Sequence, residues 1–179
     1  MKELSLNILD ISMNSVKAKA DTIHIAIIED EHKLSIEIAD NGCGMKEDFL
    51  KNVTNPFSTT RTTRKVGLGL PFFKLAAEQT GGYMNIESKH IDNYTDNHGT
   101  KITAVFIKDS IDFTPLGDII STVITLIQGS PNIRWIFRHN NVHLDTAELV
   151  AVLGDVPLDV PEVLAWITDY LKEQYSQNL

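Results

Sequence analysis

Cysteine is almost absent: Cys43 is the one thiol in 179 residues. A lone thiol excludes an internal disulfide framework and a cysteine-built zinc site, and it fits a reducing cytoplasm. Long apolar runs are missing too, since none approaches the roughly 18 residues needed to cross a bilayer. The first residues carry Glu3 and Asp10 inside a helical pattern, so no secretory leader is expected. Positive charge is in short supply, with 16 Lys and Arg against 24 Asp and Glu, a net charge of −8. That balance argues against nucleic acid or a membrane as a partner. There is no Gly-x-x-x-x-Gly-Lys-Ser/Thr, which excludes a P-loop, and Gly67-x-Gly69 lacks the third glycine of a dinucleotide fingerprint. No repeat and no low-complexity tract appears. What remains is 42% apolar and 22% charged, the composition of a globular chain of one domain, or one domain with a small annex.

Residues 3–19 read as a helix whose apolar positions, Leu4, Ile8, Ile11, Met13, Val16 and Ala20, cover a wide surface. Glu3, Asn7, Asp10, Asn14 and Lys17 fall within an arc of about 80° at roughly 100° per residue. Such a stripe is a solvent face or, on a mostly buried helix, a set of groups that need an ion or ligand. An apolar strand over Ile23–Ile28 follows, then a turn at Asp30-Glu31-His32. Alternating Leu34, Ile36 and Ile38 make a half-buried strand ending at Asp40. Asp40-Asn41-Gly42-Cys43-Gly44-Met45 then places a carboxylate at the strand end, ahead of two glycines. A carboxylate there accepts a hydrogen bond from an exocyclic amine, and a Gly-x-Gly turn lets backbone lie flat against a planar ligand. The same residues also make an ordinary surface turn.

Residues 46–52 read as a short helix with Phe49 and Leu50 inward. The stretch from Asn55 to Leu70 is rich in hydroxyls and carries Arg61, Arg64 and Lys65 without a nearby acid. It leads through Gly67-Leu68-Gly69 into a helix that runs to about Thr80. Cations and two glycines ahead of a helix N-terminus suit a phosphate, because amides, dipole and charge act together. Strands follow at Tyr83–Ser88 and Lys101–Ile107, with Gly99-Thr100 at the entrance of the second. Beyond Asp109 the pattern gives a helix to about Gln128, a hairpin over Ile133–Leu144, a short helix capped by Asp145, and a last helix from Pro161. Seventy residues bury little core alone, so docking onto the preceding domain is favoured over a separate unit.

In this order and spacing the pieces resemble the GHKL superfamily of gyrase, chaperone, histidine-kinase and mismatch-repair ATPases. Asn14-Ser15 with Asp10 before it resembles the N box, and Asp40 to Met45 the G1 box. Asn55-Pro56-Phe57 resembles the F box, Lys65-Val66-Gly67-Leu68-Gly69-Leu70 the G2 box, and Gly99-Thr100 the last ATP-contacting motif. The resemblance spans about residues 1–108, leaving 109–179 as a C-terminal α/β extension. It implies an α+β fold: a two-layer α/β sandwich of the Bergerat ATP-binding type, with a mixed, mostly antiparallel sheet and helices on one face. The cofactors implied are ATP and Mg2+. Asp40 would bind the adenine amine, with Thr100 beside it and the Gly42–Gly44 turn beneath the ring. Asn14 would hold the magnesium, and Lys17 would point at the phosphates. A lid over residues 53–67 would bring Arg61, Arg64, Lys65 and Gly67, followed by Leu68 and Gly69, to the phosphates.

Two features depart from the histidine-kinase pattern. Lys65-Val66 stands where Gly-Thr is usual, and Asp10 stands where those kinases have Asn. A carboxylate can take the proton of a water or hydroxyl attacking the γ-phosphate, whereas an amide cannot. Asp10 therefore leans the reading towards ATP hydrolysis or serine/threonine-type phosphoryl transfer with a regulatory role. The chain starts at the first helix, so no upstream acceptor helix is expected. The six histidines are scattered and show no metal-ligand spacing on a helix. The alternatives are a non-catalytic, ATP-responsive protein-binding module and, ranked lower, a histidine kinase acting on a separate acceptor. Expected partners are ATP and a protein partner or protein substrate, with a homodimer left open.

Overall fold

A computed structural model describes residues 3–54 and 68–178. The order is α1 (Leu4–Lys17), β1 (Thr22–Glu29), β2 (Lys33–Asp40), α2 (Glu47–Asn52), α3 (Gly69–Gln79), β3 (Tyr83–Lys89) and β4 (Gly99–Ile107). It continues with α4 (Ile119–Gly129), β5 (Arg134–His139), β6 (Val142–Asp145), α5 (Thr146–Leu153) and α6 (Pro161–Gln177). Local chemistry sets most of these limits. Asp118 caps α4 by accepting from the Ser121 amide, and Asp145 caps α5 by accepting from the Ala147 amide. Pro161 opens α6, where its missing N–H costs nothing. β1, Thr-Ile-His-Ile-Ala-Ile-Ile-Glu, is dense in β-branched side chains.

The six strands form one sheet in the order β3-β4-β2-β1-β5-β6. Every pairing is antiparallel except β1 with β5, which is parallel. The fold is α+β, with a mixed sheet and a helical layer in which α3, α1, α4 and α6 are successive neighbours. One face of the sheet is apolar and covered. Ile23, Ile25 and Ile27 of β1 lie beside Leu34, Ile36 and Ile38 of β2, then Ile102, Ala104 and Phe106 of β4, all buried. Trp135 and Phe137 of β5 continue that face. The opposite face carries exposed His24, Ile28, Lys101 and Arg138. No helix among the described residues is long and apolar enough to cross a membrane.

The burial of α1 differs from the expectation of a wide apolar contact. Leu4, Ile8 and Ile11 are fully buried, but Leu6 and Met13 are 42% and 37% exposed. The sheet and α4 cover one side of the helix, and the small polar residues Ser5, Ser12 and Ser15 share that side. Thr122 of α4 donates to the Ser5 carbonyl at 3.2 Å, which ties the two helices together. The buried polar residues of α1 are thus these serines and Asn7, the one fully covered member of the stripe, while Asp10 and Lys17 are exposed and Asn14 is half-buried.

A polar cluster closes the far end of β1. Glu29 accepts from Lys108 at 2.8 Å and from His139 Nε2 at 2.7 Å. A carboxylate can only accept, so His139 Nε2 donates to it, and Nδ1 lies 2.8 Å from the Tyr175 hydroxyl. Burial, then the negative charge of Glu29, push the Tyr175 hydroxyl up and keep it a neutral donor. Burial alone would raise the Glu29 carboxyl, but the hydrogen bonds from Lys108 and His139 outweigh it and hold that carboxyl below its ordinary value of 4.5. A depressed carboxylate stabilises the fold fully above its unfolded value and loses that contribution as pH falls through the folded one. Glu29→Gln should therefore cost about 1–2 kcal/mol at neutral pH. Urea titrations at falling pH should show the gap from wild type closing below 4.5, the ordinary value of this carboxyl.

Candidate functional site

Leu34, Ile36, Ile38 and Asp40 share one face of β2, because side chains alternate along a strand. Asp40 is thus the last member of the row that faces the helices. Thr100 holds the same position in the row Thr100, Ile102, Ala104 and Phe106, and pairs directly with Asp40 across the β2–β4 ladder. The apolar rows end there, and the carboxylate is held by three donors. Ser15 of α1 donates to Oδ2 at 2.6 Å, while the amides of Gly42 and Thr100 donate to Oδ1 at 2.8 and 3.3 Å. Oδ2 keeps a lone pair for another donor. The Thr100 hydroxyl lies 2.7 Å from that of Ser88, its partner in the β3–β4 register, and Ser88 also receives the Met45 amide at 2.7 Å.

The turn after Asp40 is clamped from both sides. Asn41 Oδ1 accepts the amides of Asp21 and Thr22, each at 3.0 Å, and Nδ2 donates to Asp21 at 2.6 Å. That bond, with one from Thr22, holds the Asp21 carboxyl below its usual range. The Cys43 amide donates to Ala18, at the end of α1, and Cys43 accepts from the Ile91 amide in the β3–β4 loop, at 2.9 and 2.8 Å. His98 Nδ1 contacts the Gly42 carbonyl. Gly44 has φ +73°, and a Cβ there would lie 2.0 Å from the Lys89 carbonyl oxygen. A Cβ on Gly99, at φ +142°, would lie 2.0 Å from the Asp40 carbonyl oxygen. These glycines are required by chain crossings within the protein, beyond any approach to a flat ligand.

Between α1, β2, β4 and the start of α3 lies a cavity of about 200 Å³. Ile11, Leu70, Ile102, Met45 and Phe49 make its apolar wall, and Asn14, Lys17, Asp40 and Thr100 are its polar points. Gly44 also lines it. Asn14, Lys17, Asp40, Gly44 and Thr100, which are far apart in sequence, therefore meet in one space, with Gly42 joined through its amide to Asp40. Asp10 is exposed, one turn before Asn14, and does not line the cavity. It abuts the start of α3: a Cβ on Gly69 would lie 3.7 Å from the Asp10 Cβ. Leu68 stands at the N-cap of α3, whose first turn presents the Gly69 and Leu70 amides while Pro71 has none. Arg61, Arg64, Lys65 and Gly67, and the Asn55-Pro56-Phe57 motif, lie outside the described residues.

Several contributors escape sequence reasoning. Ser15 orients Asp40, Ser88 links Thr100 to Met45, and Asn41 clamps the turn to Asp21 and Thr22. The usable signal for Ser15 was its helical spacing of four from Ile11, which puts it on the sheet-facing side. Ser88 becomes visible only once the β3–β4 register is known.

The family model for histidine kinase-, DNA gyrase B- and HSP90-like ATPases matches residues 1–111. The chain belongs to this family. Relatives include the C4-dicarboxylate transport sensor protein DctB of Pseudomonas aeruginosa, 30% identical over 48% of this chain and 14% of its own length. The sensor protein KdpD of Clostridium acetobutylicum is 32% identical over 50% of this chain and 10% of its own. Sporulation kinase A of Bacillus subtilis is 31% identical over 49% and 14%. The match thus spans at most about a seventh of each of these relatives, 14% or less. The Aquifex aeolicus MutL ATPase domain complexed with ADP shares the fold, with a TM-score of 0.58 at 10% identity over 81% of this chain and 63% of that one. That coverage exceeds the 1–111 match, so the likeness in fold reaches into the segment beyond it.

Gly44→Ala forces a side chain into the left-handed region and against Lys89, and should cost about 1–3 kcal/mol in a denaturant titration. Gly129→Ala, at the end of α4 with nothing within 4 Å of the new Cβ, should be neutral or stabilising in the same assay.

Proposed function

We propose that this chain binds magnesium-ATP in the cavity beneath Asp40 and transfers its γ-phosphoryl group to water or to a serine or threonine hydroxyl. The observation that carries the reading is the Asp40 carboxylate, pinned by three donors at the end of a cavity that Asn14 and Lys17 also line. In this reading Asp40 accepts the adenine amine, Thr100 stands beside it, and Gly42 and Gly44 shape the floor. Lys17, Arg61, Arg64, Lys65 and the Gly67-Leu68-Gly69 entry to α3 take the phosphates, whose charge the start of α3 favours. The residues fit a magnesium ion. Asn14 offers a hard amide oxygen on the cavity wall, and this metal needs few protein ligands when phosphates and waters supply the rest. When bound, the ion neutralises phosphate charge. Asp10, beside the start of α3, takes the proton of the attacking hydroxyl as its oxygen bonds to the γ-phosphorus and the bond to the β-phosphate oxygen breaks. Two of the relatives are sensor proteins and one is a kinase by name, which supports phosphoryl transfer with a regulatory role over hydrolysis alone. A cytoplasmic setting belongs to the same proposal and rests on the single cysteine.

Calorimetry with magnesium-ATP, followed by product analysis of the same sample, tests the scheme. Asp40→Asn should weaken binding at least about tenfold, the worth of one charge-assisted hydrogen bond. Asp10→Asn should leave affinity nearly unchanged and cut turnover by about 10²–10⁴, the usual range for a general base. Equal turnover by Asp10→Asn and wild type would remove Asp10 from the mechanism. Binding with no turnover in either would instead leave a nucleotide-responsive binding module.

Cys43, half-buried in the turn, provides an independent probe of placement. Magnesium-ATP should slow its alkylation by iodoacetamide. An unchanged rate under saturating nucleotide would put the ligand elsewhere.

A further inference from the structure

The C-terminal segment carries a second concave surface, remote in sequence from the nucleotide cavity. It is a groove of about 510 Å³ between α5 and α6, lined by Leu149, Val152, Leu153, Val163, Trp166 and the Glu162 side chain. Its apolar groups face water: Val152 is 85% exposed and Trp166 53%. Trp166 stacks on Tyr170 with the rings 8° from parallel and their centres 5.3 Å apart, so a rigid aromatic shelf stands beside the groove.

The outer face of α6 repeats one chemistry. Glu162, Trp166, Asp169, Tyr170 and Glu173 fall within an arc of about 100° at the helical period, opposite buried Leu164, Ile167 and Leu171. Aromatic rings and acids therefore alternate along the lip. Over residues 146–178 there are six acids, all exposed, and one cation, Lys172. The ordinary solvent face of a helix mixes both signs and does not leave a tryptophan half uncovered. An apolar trough with an acidic rim selects its occupant by charge.

We infer that the α5–α6 groove is a docking site for a cationic amphipathic helix of another protein. Leucine-like anchors at i, i+3, i+4 and i+7 would fill the trough against Val152 and Trp166, and lysines or arginines beside them would meet Glu162, Asp169 and Glu173. Two other occupants fit the chemistry less well. A second copy meeting through the same face would set these acids against their own equivalents, and an anionic lipid surface would be repelled. The inference stands independently of nucleotide chemistry, because none of the groove residues lines the Asp40 cavity.

The test uses the full chain and three synthetic peptides of about four helical turns. One is a leucine–lysine amphipathic helix, one has the same composition scrambled to abolish the apolar face, and one has glutamate for lysine. Calorimetry should show saturable binding of the first alone, weakened by salt. Trp166→Ala and Val152→Lys should each weaken it at least tenfold, and Glu162→Gln/Asp169→Asn should reduce its salt dependence. Both hydrophobic positions are exposed, and unchanged thermal unfolding of the variants confirms that they fold. Equal binding of the scrambled peptide, or indifference to Trp166→Ala and Val152→Lys, reduces the effect to bulk charge and overturns the proposal. A protein that sediments as a dimer and becomes monomeric on Trp166→Ala overturns it in favour of a second copy. Binding to vesicles of anionic lipid without peptide binding overturns it in favour of a membrane.

Discussion

The period of two along β2 is the constraint on which the site depends. Leu34, Ile36 and Ile38 must face the helices to be buried, and that requirement carries Asp40 to the same side. A slip of one residue against β4 would drive three aliphatic side chains into water at roughly 1.5–3 kcal/mol each. It would also turn the carboxylate to the open face. The register that the core enforces is thus the register that aims Asp40, and the same holds for Thr100 at the end of the Ile102, Ala104 and Phe106 row. The floor of the cavity is the first layer of the covered face at which the aliphatic rows give way to polar groups.

A carboxylate that closes an apolar row would be a liability without partners. Ser15, Gly42 and Thr100 supply them from three different segments, so the fold itself holds Asp40 in place, as the proposed nucleotide site requires. Preorganisation of this kind matters because a ligand then meets an acceptor whose orientation is already fixed. Asn41 and Cys43 fasten the following turn to the α1–β1 and β3–β4 connections. The glycines are spent on those crossings, which explains why the motif is so short on side chains.

Strands, helices and the placement of Asp40 were legible because each rests on a local pattern: alternation, helical spacing, caps at Asp118 and Asp145. Asn14, Lys17 and Thr100 were legible through motif order. Other features were not, for one common reason: they are set by pairing between distant segments. Nothing local distinguishes β5 lying parallel beside β1 from a separate hairpin, since a parallel partner leaves no turn signature. Ser88 and Ser15 look like ordinary polar residues until register and helix packing bring them to Thr100 and Asp40. Met13, read as part of the apolar surface of α1, is exposed because apolar periodicity marks which residues could be buried, while the number of neighbouring layers decides how many are.

β1 is where these levels join. At its beginning, the Thr22 amide is held by Asn41 of the turn beneath the cavity. At its end, Glu29 is held by Lys108, which follows β4, and by His139 of β5, with Tyr175 of α6 behind it. Its two edges are filled by β2, which carries Asp40, and by β5, which lies beyond residue 111. The end of the family match is therefore not the end of the sheet. A strand fixed at both ends and on both edges has no low-energy route to shift alone. Any influence between the C-terminal groove and the cavity has to move β1 with its neighbours or pass through the helical layer from α6 by α4 to α1, the helix that carries Asp10, Asn14 and Ser15. The second route is the softer one, because helices slide on a packed layer more readily than a paired strand leaves its ladder.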